Sequence, residues 1–464
     1  MRTTYLALLA LAVSCSHSQK PASAETTSQP SASSSQAAAS SSQTASSSPQ
    51  ASGSASAAAP SGQDRAWIER SNQNAKIVLD VQARFAPEFA ARQGVTGVDD
   101  QISDFKPGHH ERQRAAIQAA LSQLEQKKTA ENDPLVRQDL EILVDAAKRQ
   151  IEGSELHERL QVPYYNLPRL VFSSTRALLD KQVSPDRYPA ALVRVRKYAG
   201  QDGGPSIVQL AEAETRAGLS KGLLAPSRIE VENDLETAKP ILDGIQKLFV
   251  EFKVQGSEEP VAALRKQLED YLSFVRQEVL PKARSDFRLP PELYAFNLRQ
   301  VGVDIPPQEL VARAKRSFNE YLGEMKTVAA RIAEKRHLPS SDYKDVIHEL
   351  KKNQIPDDQV LAFYEHRLGE IEDIIRREHL VTLPSRPAQI RLGTPAENAQ
   401  QPAPHMEPPR LIGNTGQRGT FVLPLSVPGK KVQKYDDFNY DAAAWTLTAH
   451  EARPGHELQF SRMV

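Results

Sequence analysis

Apolar residues recur at intervals of three and four positions along most of the chain between residues 64 and 380. A period near 3.6 is typical of helices that bury one face, and few stretches here show the period of two that indicates strands. Asp133-Pro134 adds a helix start, because an aspartate can cap free backbone N–H groups and proline suits the first helical position. The sequence therefore predicts a mainly α, multi-helix domain.

Four apolar stripes are regular enough to be predicted as core faces, with the charged residues opposite them facing solvent. In chain order, they are Ile117, Leu121 and Leu124; Leu140, Leu143, Val144, Ala147 and Ile151; Phe318, Tyr321, Leu322, Met325, Val328 and Ile332; and Leu361, Tyr364, Leu368, Ile371 and Ile375. The third stripe follows Pro306-Pro307, and the fourth follows Pro356-Asp357.

The composition changes near residue 380, where prolines and then glycines become frequent. Residues 419–425 read Gly-Thr-Phe-Val-Leu-Pro-Leu, which is a short β-like run, and residues 430–440 are polar and predicted to form a loop. A helix is then expected to begin near Asn439 or Asp441. A small β and loop insertion therefore precedes the last helix.

The first 15 residues have the organisation of a secretory signal, with a basic start and an uncharged apolar run over residues 5–13. That run is too short to span a bilayer. Residues 12–15, Ala-Val-Ser-Cys, resemble a lipobox, in which the cysteine, here Cys15, is lipidated and becomes the mature N-terminus. Ser16 follows it, and by resemblance to bacterial lipoproteins this favours the outer membrane. We expect an exported protein, lipid-anchored in the cell envelope and facing the periplasm.

Residues 16–62 are mainly Ser, Ala, Gln, Thr and Pro, and such a segment cannot bury enough apolar surface to offset the entropy of ordering. We interpret them as a disordered tether between the signal peptide, residues 1–15, and a helical domain, residues 63–464. Cys15 is the only cysteine, so an internal disulfide and a cysteine-ligated zinc site are excluded. With 58 basic and 58 acidic side chains, no long-range field attracts nucleic acid, and no nucleic-acid partner is expected.

The last predicted helix runs into a segment with the residues of a zinc-dependent hydrolase, because residues 450–456 read His-Glu-Ala-Arg-Pro-Gly-His. Neutral imidazoles bind zinc, and a neighbouring carboxylate can take a proton from a water molecule that attacks a carbonyl. His450 and His456 lie six positions apart, which places them about 120° apart on an unbroken helix. They can bind one ion only if Pro454 and Gly455 distort the helix between them. The alternative is an ordinary helix end with a polar cap.

Other histidines and carboxylates are weaker candidates. His405 and Glu407 lie in the proline-rich segment and could line the site. The pair His109-His110 lies where a loop meets a helix, and we expect it to be exposed.

The 450–456 segment and the Glu-Leu-Gln that follows it resemble the signature of the bacterial domain-of-unknown-function family 885, His-Glu-x-x-Pro-Gly-His, commonly followed by His-Leu-Gln. Residues 85–94, Asp99-Asp100, residues 292–294, residues 307–310, the segment at Arg386 and residues 419–421 are also similar to family positions. The resemblance covers about residues 70 to 464.

The resemblance implies a zincin-like metallopeptidase domain in which His450 and His456 bind one zinc ion and Glu451 is the general base. Glu457 stands where the family often has a second histidine. Zincins of this type take a third ligand, usually a glutamate, from a helix farther downstream, whereas this sequence stops eight residues after His456. We therefore expect a C-terminally truncated chain that lacks the third protein ligand.

Two functions are compatible with these features. The first is an envelope-located, zinc-dependent hydrolase that cleaves peptide or related amide bonds with metal-activated water. The second is a catalytically inactive helical lipoprotein that acts as a binding or structural scaffold.

Overall fold

The computed structural model describes residues 66–427, 433–434 and 436–464. The helices of the first half are α1 Ala66–Phe85, α2 Pro87–Gln93, α3 His109–Ala130, α4 Pro134–Leu160, α5 Leu167–Arg176, α6 Tyr188–Tyr198, α7 Ile207–Ser220 and α8 Arg228–Glu251. Those of the second half are α9 Glu258–Phe274, α10 Pro291–Gln300, α11 Pro307–Arg336, α12 Tyr343–Lys351, α13 Asp357–Arg377, α14 Pro395–Gln400, α15 Asp441–Leu447 and α16 His456–Ser461. The prediction of a mainly α protein is confirmed.

Helices α1, α3 and α4 pack together around the first two predicted stripes. Leu124 and Leu140 are fully buried there, and Ile117 and Leu143 lie beside them. Helix α4 begins at Pro134, where the Asp133 carboxylate accepts a hydrogen bond from the backbone N–H of Leu135. The capping residue and the spacing of the apolar side chains were therefore sufficient to locate this helix and its buried face.

The largest core lies in the middle of the chain, between helices α5 to α9 and the short helix α14. Helix α8 is central because it packs against both α5 and α14. Gly244 allows this close approach, since a Cβ at that position would lie 2.3 Å from the Cβ of Ala396. Helix α14, and with it the proline-rich segment after residue 380, is in this way joined to the helical core.

The prediction that the third stripe is a core face is wrong. On α11, the side chains of Phe318, Tyr321 and Val328 are more than half exposed, and Met325 is also exposed. The residues of α11 that are buried are Ala329 and Ala333, which pack with Val346 of α12. A sequence period shows only that a helix has an apolar face. Burial also requires a neighbouring element, and among the described residues α12 is the main one that α11 contacts.

The predicted β insertion is present as two small sheets in the part of the chain that the structure describes. Strand β1, Gln389–Leu392, is parallel to β3, Thr420–Leu423, and β2, His405–Glu407, is antiparallel to β3. Strands β4, Ser426–Val427, and β5, Gln433–Lys434, form an antiparallel pair. Of these, β5 lies inside residues 430–440, which were predicted to form a loop, and it is a strand because β4, just before that segment, pairs with it. The central strand β3 is fully buried, and its Phe421 packs in one core with Tyr364 and Leu368 of α13.

The predicted signal peptide, the lipidation predicted at Cys15 and the tether predicted for residues 16–62 lie outside the described residues. Within the described part of the chain, no helix has the length and apolar character needed to cross a bilayer.

Candidate active site

The segment 450–456 follows helix α15, which begins at Asp441, one of the two predicted positions. Residues 448–452 continue α15 as a π-helical turn. The backbone then becomes extended at Arg453, and α16 begins at His456. The helix thus ends and restarts between the two histidines, at Pro454 and Gly455, the residues expected to distort it.

Helix α13 holds this segment in place through both apolar and polar contacts. Tyr364 and Leu368 of α13 belong to the same core as Phe421 of β3. The Arg367 guanidinium carbon lies 4.1 Å from the centre of the Trp445 ring, and Arg367 also forms an ion pair with Asp441. The fourth predicted stripe therefore faces the core, as expected, and orients the helix that carries the motif.

The break brings the two imidazoles together. The ring centroids of His450 and His456 are 4.7 Å apart, and the ring planes are nearly perpendicular, at 83°. His450 Nε2 lies 3.8 Å from Glu451 Oε1. The His450 side chain is 64% exposed and that of Glu451 only 12%, so a solvent-exposed imidazole lies beside a largely buried carboxylate.

Gly455 makes this arrangement possible because its α-carbon lies against the backbone of His450. A Cβ at position 455 would lie 1.8 Å from the carbonyl oxygen of His450, and a rigid backbone atom cannot move aside as a flexible side chain can. The glycine of the motif is therefore required for the close approach of the two segments.

Replacing Gly455 by Ala should consequently destabilise the fold by about 1–3 kcal/mol, the usual cost of overpacking, and should move His456 away from His450. Gly369→Ala is the matched control, because a Cβ at Gly369 of helix α13 meets nothing within 4 Å. Urea denaturation should show the loss only for Gly455→Ala. Equal stability of Gly455→Ala and the wild type would contradict this account.

Arg453 holds the turn between His450 and His456 in place through buried polar contacts. It is 1% exposed, its Nε donates to Glu457 Oε2 at 2.7 Å, and its Nη1 donates to Glu372 Oε1 of α13 at 2.7 Å. Its Nη2 donates to the backbone carbonyl of Arg386. Burial alone would lower the pKa of Arg453, but Glu457 and Glu372 raise it. Glu457, at the position where the resemblance implies a histidine, is thus the internal counter-ion of Arg453.

Strand β2 lines the site on the other side. The Met406 backbone and the His405 side chain lie close enough to Glu451 to act on its charge. Burial raises the pKa of Glu451, while His456, His450 and His405 act in the opposite direction. Glu407 instead binds Arg176 and Arg391, each at 2.9 Å. Of the two weaker candidates, only His405 therefore lies at the site.

In the part of the chain that the structure describes, no third ligand atom joins His450 and His456 to make a compact metal-binding group. Among the residues that the structure describes, the one group of three His, Cys, Asp or Glu ligand atoms within 4.8 Å of one another is formed elsewhere, by His109, His110 and Glu214. The prediction that His109 and His110 are exposed is wrong, since their side chains are 14% and 31% exposed. Both turn inward to a carboxylate on α7, a contact that local sequence cannot show.

The residues present have the chemistry to hold zinc, because two imidazoles and a carboxylate are ligands and bases that zinc hydrolases use.

The roles of Arg453, Met406 and Glu372 were missed by sequence reasoning. Arg453 lies inside the motif and is charged, which was a usable signal, since a charged residue between two histidines that come together must be exposed or paired. The parts played by Met406 and Glu372 depend on tertiary contacts and leave no signal in the local sequence.

Comparisons with known proteins agree on the fold. A family model described as "Bacterial protein of unknown function (DUF885)" matches residues 87–464. No curated protein matches the chain. A similar fold occurs in the crystal structure of "the putative lipoprotein from Colwellia psychrerythraea", with a TM-score of 0.58 and 14% sequence identity, covering 84% of this chain and 72% of that one. Since the family model spans most of its length, the chain belongs to the bacterial DUF885 family.

Proposed function

We propose that the chain is a zinc-dependent hydrolase of peptide or related amide bonds, with His450 and His456 as metal ligands and Glu451 as the general base. The observation that carries the proposal is the convergence of the two imidazoles, 4.7 Å apart between ring centroids, beside a carboxylate. On a continuous helix the two rings would point in different directions. A helix break that merely ended α15 would have no reason to bring them together.

The residues around the pair suit this role. Zinc held by these imidazoles would lower the pKa of a water molecule and polarise the carbonyl of the scissile bond. Glu451 would accept the proton of that water. Burial raises the pKa of Glu451, and a base with a raised pKa holds an accepted proton more readily.

We further propose that the domain is of the zincin-like type and that its third zinc ligand comes from outside the described residues. This follows because no third ligand atom lies near both imidazoles among them. Two imidazoles alone should bind zinc weakly, since catalytic zinc sites use three protein ligands.

The proposed location is the cell envelope, with the chain attached through lipid on Cys15 and facing the periplasm from the outer membrane. The apolar run before Cys15 supports export, and the name of the similar protein from Colwellia psychrerythraea includes the word lipoprotein. The substrate would be a peptide, and the balanced charge gives no reason to expect a nucleic-acid partner.

Zinc content tests the proposal. After equilibration with zinc at a fixed concentration, the His456→Ala variant should hold one equivalent of zinc less than the wild type by elemental analysis. His366→Asn is the matched control, because His366 is 72% exposed and lies beside a single carboxylate, Glu370. Equal zinc content in His456→Ala and the wild type would reject the metal site. The chain would then be better regarded as a catalytically inactive, lipid-anchored helical scaffold.

A further inference from the structure

A second group of metal-ligating side chains lies far from the motif in sequence, at the start of helix α3. His109 Nε2 is 3.1 Å and His110 Nε2 is 3.2 Å from the same oxygen, Oε1 of Glu214 on helix α7. The two imidazole centroids are 3.9 Å apart. Adjacent residues of a helix point about 100° apart, so the convergence of both rings on one oxygen is specific to this helix start.

The surroundings hold these side chains in place. The Phe105 ring stacks on His109, with centroids 6.0 Å apart, and meets Tyr165 edge-on at 4.9 Å. The Tyr165 hydroxyl donates to the second oxygen of Glu214, Oε2, at 2.9 Å. The carboxylate is therefore oriented by a tyrosine, with Oε1 left to face the two imidazoles. Partners of this kind, which orient a ligand without touching the ion, are typical of metal sites.

The charges also suit a cation. The Glu214 side chain is 22% exposed, and its two carboxylate oxygens lie next to the Tyr165 hydroxyl on one side and the two imidazoles on the other. Asp104 adds a further negative charge near His109, although Arg112 pairs with it at 2.6 Å. A half-buried carboxylate facing two imidazoles offers one negative and two neutral donors when both rings are unprotonated.

We propose that His109, His110 and Glu214 bind a divalent transition-metal ion of the zinc type, at a site separate from the 450–456 motif. Zinc–ligand distances of about 2.0–2.2 Å in a tetrahedron place neighbouring donor atoms roughly 3.2–3.6 Å apart. The nitrogen-to-oxygen distance of 3.2 Å from His110 equals the lower limit of that spacing, and the 3.1 Å from His109 lies 0.1 Å below it. Three protein ligands leave the fourth position to water.

The ion would link the start of α3 to α7, two elements that are 105 residues apart at His109 and Glu214. Hydrogen bonds from both imidazoles to one carboxylate oxygen are the alternative explanation of the same distances. The two explanations differ in the effect of added metal. A hydrogen-bonded cluster is indifferent to zinc, whereas a metal site is stabilised by it, because an ion that binds only the folded state raises the melting temperature.

The test uses the full chain carrying His450→Ala and His456→Ala, so that the motif cannot contribute ligands. This double variant, stripped with a chelator and equilibrated with zinc alone, should retain one equivalent of zinc and melt at a higher temperature with zinc than without. Adding His110→Asn should abolish both effects, and adding His366→Asn should abolish neither. Tyr165→Phe, which keeps every ligand, should weaken zinc affinity about 10–100-fold.

The inference is overturned if the double variant binds no zinc, or if His110→Asn leaves its zinc content unchanged. Circular dichroism of the zinc-free variants shows whether His110→Asn folds, and Tyr165→Phe keeps the proposal testable if it does not. The two metal proposals can fail separately. Zinc lost only with His110→Asn would reject the function proposed for the motif and support this second site, and zinc lost only with His456→Ala would do the reverse.

Discussion

Glu451→Gln should lower the rate of peptide hydrolysis by about 10²–10⁴-fold, the usual contribution of a general base, while zinc content stays unchanged. The amide keeps the shape of the carboxylate, but it cannot take a proton from water. The measurement compares turnover of a fluorogenic peptide with metal content of the same samples. Glu365→Gln, at an exposed position on α13, is the control and should leave both unchanged.

The same substitution should stabilise the zinc-free protein at neutral pH. Burial raises the pKa of Glu451 in the folded state above the unfolded value of about 4.3, so folding favours the protonated side chain. The stability that this side chain contributes is therefore fully present below about pH 4 and is lost as the pH rises through the folded-state pKa. Glu451→Gln should be more stable than the wild type at pH 7, and this gap should close towards pH 4.

Urea denaturation at several pH values, with chelator present, measures this gap. Loss of activity together with gain of stability is the combination expected of a buried catalytic carboxylate. Unchanged hydrolysis in Glu451→Gln would exclude Glu451 as the base, and a lower stability at pH 7 would show that its role is structural.

Arg453→Met should destabilise the fold by about 3–5 kcal/mol, because removing one partner of a buried ion pair leaves uncompensated charge. Glu457 is 1% exposed, and besides its contact with Arg453 it accepts a hydrogen bond from the Ser461 hydroxyl. Glu372 would keep Arg376 as a partner at the surface. Most of the loss of stability should therefore come from the buried Glu457 carboxylate that is left without its arginine partner.

Arg376→Met provides the matched control for this experiment. Arg376 contacts the same glutamate, Glu372, at 2.7 Å, but its side chain is 57% exposed, whereas that of Arg453 is 2% exposed. An exposed pair contributes about 0–1 kcal/mol, so the control should lose little. Combining Arg453→Met with Glu457→Gln should restore part of the loss, since the stranded charge is then removed. Equal effects of Arg453→Met and Arg376→Met in chemical denaturation would contradict this assignment.

The helical class and several helix starts follow from local signals. Asp133-Pro134 begins α4 because capping and proline geometry act within one turn, and Leu140 lies on its buried face because the 3.6-residue period is intrinsic to the helix. Within the motif, the residues themselves indicated a helix break at Pro454 and Gly455. These predictions depended only on interactions among residues close together in the chain.

Other features were decided by residues that are distant in the chain. The stripe at Phe318 and Tyr321 is as regular as the buried ones, yet it is exposed, because no described element covers it. His109 and His110 turn inward because their imidazoles contact the carboxylate of Glu214 on α7. Likewise Gly455 is indispensable only because the carbonyl of His450 lies where its Cβ would be.

The sequence by itself determined where helices form and which residue types converge on the motif, since periodicity, capping and helix breaking act over a few residues. Tertiary structure alone decided which apolar faces are covered, which charges are paired inside, and that the rings of His450 and His456 meet beside Glu451. The physical reason is that burial and electrostatic pairing depend on which surfaces lie opposite each other, and folding, not local sequence, selects those surfaces.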